Sequence, residues 1–176
     1  LLPLAVAHAA QAHDHEHGSL APHEHGVGTL NVALDDTTLE LDLDGPAMNL
    51  VGFEHAATTD ADKATVAAAK ARLENPLALF NLPPAAKCVV EAQELSSPLF
   101  DPAPEEGASN AKAEHHHSDI EAHYAFTCAD TASLKTLDLS RFFKTVPGTH
   151  AVKVQLIGPN GQQAVNVSAK APTLTF

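Results

Sequence analysis

The chain has 176 residues, enough for one ordinary core and too few for two large ones. Hydrophobic residues make up 44% and charged residues 18%, so composition does not make the chain disordered as a whole. Ten Lys and Arg against twenty-two Asp and Glu leave a formal charge of -12, which argues against nucleic acid and anionic lipid as partners and favours cations.

The opening Leu1-Leu-Pro-Leu-Ala-Val-Ala-His-Ala-Ala-Gln-Ala12 is apolar, too short to span a bilayer, and ends in a small-x-small site. It is read as the remnant of a cleaved signal peptide covering residues 1–12, which predicts export, to a periplasm in a Gram-negative source. Residues 13–26 carry His13, His15, His17, His23 and His25 among acids and almost no core-forming side chains, and are expected to be a mobile tail. A single metal-binding domain is expected over 27–176. Val27 to Leu34 and Leu39 to Leu43 alternate as a hairpin around Asp35-Asp36, with one wet, acidic face. Gly45-Pro46 is expected to break the second strand, and Met48 to Phe53 reads as a short apolar strand leading to Glu54 and His55.

Thr59 with Asp62 resembles a capping box, and the alanine-rich run from Asp60 to Glu74 puts Val66, Ala69 and Leu73 on one stripe; this is the principal helix. Asn75-Pro76 stops it. Cys88 opens a third strand. Residues 96–118, rich in Pro and acids and ending in His115, His116 and His117, read as a mobile loop. Asp119 to Cys128 alternates as a strand with Ile120, Ala122, Tyr124 and Phe126 on the core side and Asp119, Glu121 and His123 opposite. A short strand around Leu137 and a second hairpin, Val152 to Leu156 and Val165 to Val167 about Gly158-Pro-Asn-Gly161, complete the pattern. The fold class is therefore α+β, mainly an antiparallel sheet of short strands with one principal helix.

Cys88 and Cys128 are the only cysteines. An oxidising compartment would join them across about 40 residues, contributing about 4 kcal/mol at most; the rival reading is a thiolate metal pair, although no CxxC spacing is present.

Twelve histidines, more than all Lys and Arg together, are the main departure from an ordinary domain. Spacing two in extended backbone points imidazoles to one face, and dense His with carboxylates suits borderline divalent metals such as zinc, copper or nickel. One ordered site follows if His23 and His25 fold back towards His55, Asp119 and His123; His13, His15, His17, His115, His116 and His117 are auxiliary donors. His8 and the isolated His150 are read as non-ligands. There is no HExxH pair, nucleophile elbow or phosphate loop, so a zinc-dependent hydrolase has no support and no enzyme is expected. Copper or nickel sequestration remains the alternative, since copper outcompetes zinc at nitrogen sites.

His23-Glu-His-Gly26 leading into Thr29-Leu-Asn-Val32, then Asn49-Leu-Val-Gly-Phe-Glu-His55, Asp119-Ile-Glu-Ala-His123 and Val146-Pro-Gly148, resemble the ZrgA-like family of zinc-regulated periplasmic proteins. The resemblance implies a periplasmic zinc-binding protein of antiparallel α+β fold, accessory to zinc uptake. It also implies a Zn2+ ion held by His23, His25, His55, Asp119 and His123. Metal would pass to the solute-binding protein of a zinc ABC importer, without nucleic acid or membrane insertion. Because ligation needs neutral imidazole, affinity would fall as pH drops through about 6.5.

Overall fold

The computed structural model describes residues 24–100 and 118–176. Residues 1–12, expected as a signal remnant, the histidines at 13, 15, 17 and 23, and those at 115–117 lie outside the described residues. Among the described residues, eight strands and four α-helices follow one another: β1 (Val27–Asp35), β2 (Thr38–Pro46), α1 (Ala47–Val51), α2 (Asp60–Leu73), α3 (Pro76–Leu79), β3 (Cys88–Ser96), β4 (Asp119–Cys128), β5 (Thr136–Asp138), α4 (Ser140–Thr145), β6 (Ala151–Gly158), β7 (Gly161–Ser168) and β8 (Thr173–Thr175).

Six strands form one sheet in the order β3-β4-β2-β1-β6-β7, and β5 pairs with β8 in a small second sheet. The main sheet is antiparallel except where β1 runs parallel to β6. That parallel pairing joins segments more than a hundred residues apart, so no local alternation announces it. Period-two burial divides the central strands β1, β2, β4 and β6, whereas the edge strands β3 and β7 are exposed along most of their length. Leu30, Val32, Leu39, Leu41, Ile120, Tyr124, Phe126 and Val154 turn inward, and Glu40, Asp42, Glu121, His123 and Lys153 turn out to solvent.

The helices cover the inward face. The Thr59 side chain accepts from the Asp62 backbone N–H, and the Asp62 carboxylate accepts from the Thr59 N–H, which completes the capping box at the start of α2. Val66, Ala69 and Leu73 are the buried stripe of α2. The buried Tyr124 hydroxyl donates to the Leu73 carbonyl at 2.8 Å, which satisfies the one polar atom of the ring. Phe80 meets Tyr124 edge-on at 5.5 Å, and Phe142 of α4 stacks on Phe80 at 6.3 Å. Cys88 and Cys128 face each other in register and form a disulfide, which fixes the edge strand β3 to β4.

One expectation changes. The apolar run expected as a strand is helical, α1 spanning Ala47–Val51, while Gly45-Pro46 ends β2 as expected. The reason is local: Pro46 pre-sets the turn into α1, and Gly52 takes a left-handed conformation, φ 83°, that ends the helix after five residues. An apolar run this short has no readable period.

Candidate metal-capture end of the sheet

The four segments that carry the family resemblance meet at one end of the main sheet. The turn Glu24-His25-Gly26-Val27 leads into β1 and is closed by a Val27 N–H to Glu24 carbonyl bond of 3.0 Å. Gly26 has φ +86°, a value that strains any side-chain-bearing residue. Asn49, on α1 and only 3% exposed, clamps this turn on both sides of one peptide. Its Oδ1 accepts from the Gly26 N–H at 2.7 Å, and its Nδ2 donates to the Val27 carbonyl at 3.0 Å. Gly148, from the segment before β6, lies so close to Asn49 that a Cβ there would stand 2.4 Å from the Asn49 carbonyl oxygen.

The remaining segments dock through Glu54. His25 Nε2 lies 3.1 Å from Glu54 Oε1. Because an ionised carboxylate only accepts, the imidazole donates from Nε2, and Nδ1 is left with no partner among the described residues. The Ser118 hydroxyl donates to the Glu54 carbonyl at 3.1 Å, and the Ser118 carbonyl accepts from the Ala47 N–H at 2.7 Å. Ser118 is the last residue before β4, so the start of that strand and half-buried Asp119, paired with Pro46, are held at the same end.

His55 stacks on Phe53 with ring centroids 4.6 Å apart and donates from Nδ1 to the Ala56 carbonyl at 2.9 Å. That bond fixes the tautomer with its lone pair on Nε2, which faces solvent. His123 is differently placed. It stands four residues along β4 from Asp119, a rise of about 13 Å, in the row Glu94–His123–Asp42 across three strands. Its Nδ1 is 2.5 Å from Asp42 Oδ1, and the two share a shallow depression on the open sheet face with Asp44, Glu94 and Glu121. A carboxylate behind one ring nitrogen, leaving the other outward, is the usual support of a metal-ligating imidazole.

The structure therefore gathers His25, His55 and Asp119 at one end, with Glu54 between them, and sets His123 apart on the acidic face. Among the described residues, no three His, Cys, Asp or Glu side chains stand close enough to hold a metal ion. Sequence reading alone did not single out Asn49 or the pairing role of Glu54; the only signal was their presence in one short quoted segment. Among the described residues, no helix is long and apolar enough to cross a membrane.

A search of curated proteins finds no match to this chain. Residues 22–176 match the family described as ZrgA family zinc uptake protein, a span that takes in the clamped turn, Glu54, both cysteines and the whole sheet. With that match covering most of its length, the chain belongs to the ZrgA family of zinc uptake proteins.

Proposed function

We propose that this protein captures Zn2+ in the periplasm and holds it for delivery to an importer's solute-binding protein, acting as an accessory to uptake rather than as an enzyme. The observation that carries the reading is the His25–Glu54 contact. In a tetrahedral zinc shell with bonds near 2.0–2.1 Å, neighbouring donor atoms lie about 3.3 Å apart. His25 Nε2 and Glu54 Oε1 already stand 3.1 Å apart, so zinc can replace the shared proton with little movement of either side chain. His23, two residues upstream, with His55 and Asp119 at the same end, supplies the chemistry for the remaining positions. The histidines at 13, 15 and 17 and at 115–117 add looser sites on the chain segments that lead into this end.

His123 takes a second role. Asp42 orients the ring through Nδ1, and Nε2 is the donor of a separate, weaker site. The acidic sheet face beside it raises the local concentration of cations.

Calorimetric titration of the full chain with Zn2+ at neutral pH tests this reading. One tight site and several weaker ones are expected, and His25→Ala or Glu54→Gln should remove the tight one while sparing the rest. Absence of zinc uptake by the parent protein would end the proposal.

A further inference from the structure

Three of the chain's ten Lys and Arg stand together on the helical side of the sheet. Arg72 lies in the last turn of α2, and Arg141 and Lys144 both belong to α4. Arg72 and Arg141 flank one shallow depression, Arg72 and Lys144 a second, and Arg141 and Lys144 a third; Thr145 lines all three. The basic side chains therefore surround Thr145. In a chain with twenty-two Asp and Glu, no carboxylate among the described residues lines any of these depressions.

Local stability accounts for two of the three positions. A cation in the last turn of a helix offsets the partial negative charge of its free carbonyls, which suits Arg72 and Lys144. The Lys144 charge also acts on the Asp138 carboxylate. Arg141, by contrast, follows Ser140 in the first turn of α4, where free N–H groups make a cation unfavourable. Both Arg72 and Arg141 are exposed, and neither has an ion-pair partner among the described residues. Within those residues, then, nothing compensates Arg141.

We propose that Arg72, Arg141 and Lys144 form a docking surface for an acidic segment of a partner protein, one whose carboxylates alternate with apolar side chains. The walls between the cations fit that pattern: Ala71, Ala78 and Leu79 in the first depression, Met48 and Leu50 in the second. A small inorganic anion fits less well. The central Thr145 hydroxyl already donates to the Arg141 carbonyl at 2.7 Å, and no one depression holds all three cations. The formal charge of -12 keeps an anionic bilayer away. A narrow peptide feels mainly the nearest charges, because screening acts beyond about 8 Å at physiological salt. The second depression also reaches Asn49 and Gly148 beside the capture turn, so the docked segment lies behind the metal end. Hand-over of metal as the purpose of the contact rests on the zinc-capture reading; the contact itself does not.

The test uses the full chain without metal and, as probe, a labelled peptide of alternating glutamate and leucine, followed by fluorescence anisotropy. Binding that weakens with added salt is expected. Arg72→Glu and Arg141→Glu should each weaken it roughly fivefold, the upper end for exposed ion pairs, while Lys63→Glu, the same change of charge near the start of α2, shifts it by less than about twofold. Arg141→Gln relieves the helix terminus, so it should be no less stable to heat than the parent and still bind the peptide more weakly, which separates lost docking from lost folding. The proposal is overturned by absence of peptide binding, by an equal loss in Lys63→Glu, by displacement with inorganic phosphate at matched ionic strength, by uptake onto phosphatidylglycerol vesicles, or by self-association of the chain through these residues. Zinc uptake by the variants should match the parent's. A parent that takes up no zinc ends the capture reading and leaves the docking surface standing.

Discussion

Asn49 uses both ends of its amide on the peptides flanking the Gly26–Val27 bond, from a position 3% exposed. Removing it leaves the Gly26 N–H and the Val27 carbonyl without that partner in a buried place, a cost of about 2 kcal/mol. Asn49→Ala is therefore expected to lower the unfolding free energy by that amount, read from denaturant unfolding curves. It should also weaken zinc binding, whereas Asn49→Asp, which keeps one acceptor, should fall between. Gly148 presents a second test, because the atom a Cβ would meet is main-chain oxygen and cannot swing aside. Gly148→Ala should cost about 1–3 kcal/mol through displacement of α1, checked by the same unfolding curves. None of this was legible from residue order. Glycines after Pro and Asn within an apolar run have many readings, and only the contact of distant segments selects one.

At the scale of elements, the hairpins, the capping box and the alternating β4 could be read directly, since period-two burial and the Thr59–Asp62 spacing are local signals. Helix α1 and the parallel β1–β6 pairing could not, the first for want of length and the second because its partners are far apart in the chain. The edge strand β3 leaves Val89 55% exposed, and a register shift at Glu91 between Val90 and Ala92 bends the strand where a second sheet would otherwise add. Helix α4 begins beside Asp138. The Ser140 backbone N–H, at 2.9 Å, is the main cause that holds this carboxyl below the usual carboxylate range; burial opposes it, and the Ser140 hydroxyl, the Asn81 amide and the Lys144 charge reinforce it. A carboxyl that binds its proton more weakly when folded stabilises the fold fully above the unfolded range near 4. The contribution is lost as pH falls from there through the folded value. The stability gap between the parent and Asp138→Asn should thus be present at pH 7 and shrink as pH falls below the ordinary carboxylate range, as read by urea unfolding across that interval.

For the whole molecule, the open sheet face carries Glu40, Asp42, Asp44, Glu94 and Glu121, while Lys153 is the one Lys or Arg in the six strands. With a formal charge of -12, the field around the protein draws dications inward. Raising ionic strength from 10 to 150 mM shortens the screening length from about 30 to 8 Å. Stopped-flow zinc association should slow severalfold over that range, with dissociation much less affected. A rate indifferent to salt would remove any role for the face.

The disulfide joins the first residue of β3 to the last of β4, whereas Asp119 and the capture turn sit at the opposite end of those strands. Sulfur chemistry and imidazole chemistry are thereby kept a full strand length apart. Closure of the crosslink at one pole therefore leaves the His25–Glu54 contact at the other undisturbed.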